Sequence, residues 1–212
     1  GAHPDAILPA ADPPPSPGGP LPFQFDDVNR WSTTVTNGGG LGQGDATTLT
    51  WSIVPDGTSI PGANGEATSN STLIAFLGGL YGVTTNNTDL TDEPWFPLFE
   101  SYLNRWGELS GLSYIYEPSD DGATFSSSPG AIGSRGDIRI SGHSVDGQTG
   151  SNTLAYNFFP DNGDMVIDTD NTTLFGDTTN NSRAFRNVLA HEHGHGLGVD
   201  HVCPIIGGAD GR

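Results

Sequence analysis

Three histidines and a glutamate near the end of the sequence have the spacing of a zinc site. Residues 191–201 read HEHGHGLGVDH, which fits the pattern H-E-x-x-H-x-x-G-x-x-H. His191 and His195 are four apart, so on a helix they lie one turn apart on the same face. Glu192 can then reach a metal-activated water without being a ligand. Because a straight helix would carry His201 away along its axis, the chain must turn first, and Gly198 can adopt the positive φ that ends a helix.

Three imidazoles leave a fourth coordination position open, which is the arrangement of catalytic zinc, whereas structural zinc is usually closed by four protein ligands. We therefore predict one catalytic Zn²⁺ held by His191, His195 and His201, with Glu192 as general base. The alternatives are a surface helix with scattered histidines and a metal site that is only structural. His193 lies about 100° round the helix from its neighbours, and we interpret it as a surface residue or a support for the ligands.

The composition limits the class of protein. A chain of 212 residues with 31 Gly, 16 Pro and 15% charged residues suits one loop-rich domain of mixed structure better than a helical bundle. The net charge of −18 argues against nucleic acid as a partner. Many acidic residues in Gly- and Asn-rich loops favour bound calcium, with a merely solvated acidic surface as the alternative.

Localisation is predicted from composition as well. The single cysteine, Cys203, allows no internal disulfide, which alone would suit the cytosol. The lack of Lys and the abundance of Asn, Thr, Gly and Asp instead favour a secreted, bacterial-type protein. No apolar run of about 18 residues is present, so we expect no membrane span. We see no signal peptide and expect any such segment to have been removed; we also expect a monomer.

The periodicity of the sequence predicts an α+β fold. Residues 1–22 are Pro-rich and lack periodicity, which is typical of a flexible lead or linker, and they precede a catalytic domain over 23–212. Alternating and β-rich segments predict strands over 48–54, 112–116, 136–140, 152–159 and 164–168. Spacings of three and four predict helices over 69–83, 94–109 and 182–197, the last with Ser182 as its N-cap. We expect a twisted, mixed, five-stranded sheet with two or three helices.

In their order, these segments resemble a matrixin, a family of metzincin zinc peptidases. The resemblance covers roughly residues 48–201 and includes the whole histidine motif. Three further segments resemble the family's ADIMIxF, LAHAFFP and GDxHFD motifs: GDIRIS at 136–141, LAYNFFP at 154–160 and GDMVID at 163–168. The resemblance implies a zinc endopeptidase that hydrolyses a protein or peptide substrate.

The resemblance also bears on other metals. Matrixins usually carry a second, structural zinc, but two of its histidines fall at Tyr156 and Val166 here, which leaves His143 as a remaining first ligand. We therefore expect that second zinc to be absent. The family's calcium loop is better matched, and the predicted calcium ligands are Asp146, Gly147, Asp168 and either Asp170 or Asn171. A set of Asx-turns is the alternative for this cluster.

The family holds its substrate along the edge strand above the metal helix. By resemblance this is the segment 152–157, and the predicted substrate contacts are Asn152, Thr153, Leu154, Ala155 and Tyr156.

The sequence departs from the family beyond His201. Metzincins continue to a methionine turn beneath the zinc, whereas only VCPIIGGADGR follows here and the single Met165 precedes the motif. We therefore expect a chain truncated before the Met-turn, with its carboxyl-terminal subdomain mostly missing; a cleaved chain and a floor of the zinc site that is built differently are the alternatives. Cys203 is either a thiolate near the metal or a small buried hydrophobe. The alternative functions are a metal-stabilised binding module without proteolytic activity and an enzyme that processes a single substrate or itself.

Overall fold

The fold is taken from a computed structural model, which describes residues 30–84, 89–147 and 153–201. The predicted lead over 1–22, the substrate contact Asn152 and Cys203 lie outside the described residues. The described elements follow one another as β1 (Thr33–Thr34), β2 (Gly38–Gly39), β3 (Thr48–Ile53), β4 (Ser59–Ile60), β5 (Ser69–Asn70), α1 (Leu73–Tyr81), a 3₁₀ turn (Leu90–Asp92), α2 (Phe96–Ser110), β6 (Ser113–Tyr116), β7 (Ile138–His143), β8 (Ala155–Asn157), β9 (Met165–Asp168), α3 (Thr172–Phe175) and α4 (Thr179–Gly196).

A mixed five-stranded sheet is the centre of the described structure. Its order is β6-β3-β7-β9-β8, in which β8 alone runs antiparallel to its neighbour. All five strands overlap the predicted segments, although β7 continues to His143, beyond the predicted end at residue 140, and the predicted α+β fold is confirmed. The described residues contain four α-helices rather than two or three, because the short α3 carries no periodicity that a sequence could reveal.

The two faces of the sheet are covered differently. On one face, Met165 and Ile167 of β9 pack with Trp51, Phe99 and Phe185 beneath α2 and α4. On the other face, Val166 packs with a smaller apolar group: Val54, Ile60, Phe125 and Val145, with Tyr156 and Phe158 partly buried against it. Burial on both faces explains why β9 opens with three consecutive apolar residues, Met165–Ile167. Strand β7 is buried along its whole length as well, but it carries the polar side chains of Arg139, Ser141 and His143.

An ion pair is enclosed beside the second apolar group. The guanidinium of Arg139, on β7, places Nη2 2.6 Å from Asp120 Oδ1 and Nε 2.9 Å from Oδ2. Both side chains are fully buried, and this bidentate pairing satisfies the two charges together.

The start of the metal helix differs from prediction. Asn180, Asn181 and Ser182 have positive φ, so the regular right-handed helix begins after them. Ser182 Oγ lies 2.6 Å from the hydroxyl of Tyr81 and makes no capping hydrogen bond. The predicted N-cap is therefore wrong, because a partner distant in sequence takes that hydroxyl. None of the described helices has both the length and the apolarity needed to cross a membrane.

Candidate metal centre

Helix α4 presents two of the predicted ligands and then ends as the sequence predicts. His191 and His195 lie one turn apart, and the helix finishes at Gly196. Gly198 has a φ of 89°, and its N–H bonds to the His195 carbonyl at 2.9 Å, while the Val199 N–H bonds to the Gly194 carbonyl at 2.9 Å. This pair of bonds is the Schellman arrangement. It reverses the chain and brings His201 back to the helix.

The three predicted ligands converge on one point. His201 Nε2 lies 3.0 Å from His191 Nε2 and 3.2 Å from His195 Nε2, and the three ligand atoms all lie within 4.8 Å of one another. A tetrahedral zinc with Zn–N bonds of roughly 2.0–2.1 Å separates its ligand atoms by about 3.3 Å. The spacing therefore fits zinc.

The protons of these imidazoles give a second test of the fit. His195 Nδ1 lies 2.7 Å from the Val199 carbonyl oxygen, so that nitrogen carries the proton and Nε2 of the neutral ring presents a lone pair. His201 Nε2 faces two ring nitrogens and can donate at most one proton. At least one of these close pairs of nitrogens is thus left without a hydrogen bond between its members, and a shared cation would stabilise the cluster.

Electrostatics at the site favour the metal-binding forms. Burial, followed by the nearby His195 and His201, lowers the pKa of His191, which keeps this imidazole neutral and able to bind a metal. Burial also raises the pKa of Glu192 to about 7, which is close to the value that suits a general base at neutral pH.

Of the two predicted roles for His193, the surface position is wrong. It is fully buried and packs its ring on Tyr102, Trp106 and Tyr114. Helix α4 is therefore covered on the face opposite its ligands, so a position pointing away from the metal points into the core. His193 lies outside the group of three histidines that converge.

An open cleft of about 680 Å³ runs beside the histidines. It is lined by the three ligands and Glu192, and on its other side by four of the predicted substrate contacts, Thr153, Leu154, Ala155 and Tyr156. The cleft also has lining residues that are not among the predicted substrate contacts: Asn64, Asn157, Phe159, Asn187, Val188 and Asp200. Of these, Asn157 is the last residue of the predicted edge segment 152–157.

Strand β8 presents main-chain groups to this cleft. The Phe158 N–H bonds to the Asp164 carbonyl, and the Asp168 N–H bonds to the Leu154 carbonyl. Because bonding directions alternate along an antiparallel pair, the N–H and C=O of Ala155 and Asn157 face away from β9. Among the described strands none pairs with that outer edge.

The predicted calcium ligands are brought close together, with their oxygens already engaged. Asp168 Oδ1 accepts from the backbone N–H of Val145 and Asp170 at 3.0 and 3.1 Å, and Oδ2 accepts from Asn171 Nδ2 at 2.6 Å. Asp146 Oδ2 accepts from the Thr153 N–H at 3.4 Å. Gly147 follows with a φ of 72°. Burial raises the pKa of Asp168, and the hydrogen bonds from the backbone of Val145 and Asp170 lower it in part. The negative charges of Asp170 and Asp146 raise it further.

A three-histidine centre with an adjacent glutamate, beside the edge strand of an α+β fold, is the arrangement of a metallopeptidase. The family model described as Matrixin matches residues 80–204, more than half of the chain. The chain belongs to the matrixin family, which implies a zinc metallopeptidase with a peptide substrate. A search of curated proteins found none that matches the chain.

Proposed function

We propose that the protein is a secreted zinc endopeptidase. The observation that carries this proposal is the convergence of three imidazole nitrogens next to Glu192 in a cleft bounded by an open strand edge. His191, His195 and His201 would hold the ion. Zinc in such a centre supplies a Lewis acid and lowers the pKa of water.

The chain's own groups account for the remaining chemistry. Glu192 accepts a proton from the water that attacks the scissile carbonyl carbon, and it delivers that proton to the amine as the C–N bond breaks. Its burial keeps the carboxylate poorly solvated and therefore basic. The hydrogen bond from His195 Nδ1 to Val199 holds that ring in one orientation.

The substrate binds in extended form. An incoming strand that pairs with Ala155 and Asn157 would extend the sheet and lay its main chain along the cleft, which is recognition by strand addition. Main-chain pairing of this kind tolerates many sequences, and side-chain preference then depends on the cleft walls, where Phe159 stands beside His195 with ring centroids 6.0 Å apart.

Replacing Glu192 with Gln tests the proposal. The wild type should carry one zinc per chain and cleave casein or gelatin, whereas E192Q should keep the zinc and lose about 10²–10⁴-fold in rate. Equal cleavage by both proteins would contradict the mechanism. A wild type that holds zinc but cleaves neither these proteins nor a library of unstructured peptides would support the alternative, a metal-stabilised binding module.

We also propose one bound calcium beside Asp146 and Asp168. Its support is the clustering of carboxylate, amide and loop groups between β7, β9 and the segment before β8. Calcium should raise the Tm of the wild type and leave that of D146N unchanged, as measured by calorimetry. An equal response of the two proteins would identify the cluster as Asx-turns alone.

Secretion rests on composition, namely the absence of Lys and the abundance of Asn, Thr, Gly and Asp, and the monomeric state is a further expectation. Recovery of the protein from culture medium of the producing cells, and a molar mass of one chain by light scattering, are the expected results. Retention inside cells or a defined oligomer would contradict them.

A further inference from the structure

The place where matrixins carry their structural zinc is occupied here by a different set of groups. Tyr156 on β8 pairs with Val166 on β9, and Val166 pairs with Ser141 on β7. His143 is two residues beyond Ser141, so His143, Val166 and Tyr156 share one face of the sheet. Val166 is fully buried among apolar side chains and offers no ligand atom. One imidazole and one phenol do not make a zinc site, so the residues do not fit that ion.

A carboxylate reaches this position from elsewhere in the chain. Glu66 Oε1 accepts the Tyr156 hydroxyl at 2.7 Å and lies 3.8 Å from His143 Nε2. The side chains of Glu66 and His143 are only 6% and 1% exposed. The hydrogen bond from Tyr156 to the Glu66 carboxylate is charge-assisted and therefore stronger than a neutral one, whereas the contact with His143 is too long for a hydrogen bond.

The same carboxylate organises the turn that bears it. Glu66 Oε1 accepts the Ala63 N–H at 3.2 Å, and Oε2 accepts the Asn64 N–H at 2.8 Å. The turn is tight, since a Cβ at Gly62 would lie 1.9 Å from the Glu66 carbonyl oxygen. Asn64, within this turn, lines the cleft, and its Nδ2 lies 3.4 Å from Thr153 Oγ1.

Burial opposes the ionised form of Glu66, but the hydrogen bonds from Tyr156 and from the backbone of residues 63–66 outweigh it and lower the pKa of this carboxyl. The group is therefore an anion at neutral pH and a good acceptor for all its donors.

We propose that Glu66 is a positioning residue for substrate binding, and that its carboxylate takes the place of a structural ion in tying the edge strand to the cleft wall. By holding Tyr156 on one side and the 62–66 turn on the other, it fixes where Ala155 and Asn157 present their main-chain groups. This inference rests on the proposed peptidase function, in which those groups bind the substrate.

Kinetics with an unstructured peptide test the role. E66A should raise KM about tenfold, the equivalent of one lost charge-assisted hydrogen bond, with kcat within about twofold. E66Q keeps one acceptor oxygen and should fall between E66A and the wild type. Glu117 provides a matched control, because its carboxylate also accepts a backbone N–H, from Gly133 at 2.7 Å, but follows β6 at the opposite edge of the sheet. E117A should leave KM unchanged.

Hydrogen exchange without substrate gives a readout independent of catalysis. Amides of residues 153–158 should exchange about tenfold faster in E66A than in the wild type, with E117A unchanged and zinc content constant at one per chain. Y156F removes only the hydroxyl and should also speed the exchange of these amides. It replaces E66A as the test variant if E66A fails to fold.

The outcomes separate the two proposals. A wild type that cleaves no peptide defeats the peptidase function, yet exchange in E66A still decides whether Glu66 holds the strand. Unchanged KM and exchange in E66A and Y156F would overturn the inference. A rise in KM that is accompanied by a fall in both kcat and zinc content would also overturn it, because that result indicates general damage to the fold. So would a second zinc in the wild type that E66A loses, because Glu66 would then be a metal ligand.

Discussion

Tyr114 and His193 share a partly buried hydrogen bond of 2.8 Å between the phenolic oxygen and Nε2. It joins β6 to the face of α4 opposite the metal ligands, two residues before His195. Burial lowers the pKa of His193 to about 3, so this ring is uncharged at neutral pH. His193 Nδ1 finds no hydrogen-bond partner among the described residues, so Tyr114 provides its one such contact there.

Y114F should destabilise the protein by about 1–3 kcal/mol, because it strands a buried ring nitrogen without a partner. H193F should also destabilise, but the double variant should lose less than the sum, since an apolar pair of similar shape needs no hydrogen bond. Urea unfolding of the four proteins measures the coupling. Additive losses would show that the hydrogen bond contributes nothing beyond packing.

The enclosed pair of Arg139 and Asp120 gives the largest expected loss of stability. D120N leaves a fully buried guanidinium without its counter-charge and should cost about 3–5 kcal/mol. D121N removes a carboxylate that pairs with Arg135 at the surface, where its side chain is 45% exposed, and should cost far less. Denaturant midpoints compare the two variants, and similar losses would contradict the argument from burial.

The general base should make a pH-dependent contribution to the stability of the metal-free protein. Folding raises the pKa of Glu192 from 4.5 to about 7, so the folded state binds the proton more tightly and stability from this group falls as pH rises through that window. E192Q removes the effect. The Tm of E192Q should therefore exceed that of the wild type by more at pH 8 than at pH 5. The difference should be about 2–4 °C for each kcal/mol by which the ionised Glu192 destabilises the folded state.

Saturating zinc should shrink that difference, because a nearby cation favours the ionised carboxylate. Calorimetry at the two pH values, with and without the metal, provides the four measurements. An advantage of E192Q that does not depend on pH would show that the Glu192 carboxylate is well solvated in the folded protein.

The turn at Gly198 should control zinc affinity rather than global stability. An alanine at a φ of 89° is strained by about 1–2 kcal/mol, and G198A can relieve that strain by releasing His201 from the ligand cluster. The zinc Kd should rise about tenfold, as measured by competition with a chelator. G79A, in α1, serves as the matched control, since a Cβ at that position lies in open space. The zinc affinity of G79A should equal that of the wild type.

Much of this architecture follows from local pattern. The strand at 164–168 and the histidine motif are each specified within a few residues, by a short β-forming apolar run in one and by helical spacing in the other. Glu66 and the burial of His193 are not visible in that way. Glu66 meets Tyr156 through a turn distant in sequence, and His193 is buried because α2 and β6 lie behind α4. Such contacts depend on how elements dock, and no local periodicity encodes them.

Under the proposed function, the outer edge of β8, with which no described strand pairs, limits which proteins can be substrates. A segment can pair with Ala155 and Asn157 only after it has left its own helix or sheet, so a folded target must open locally before it binds. The cleavage rate then scales with the population of that opened form and falls about tenfold for every 1.4 kcal/mol of local stability. The enzyme would thereby select targets by their low local stability as much as by their sequence. Well-packed domains would resist cleavage, and the flexible linkers between them would be cut.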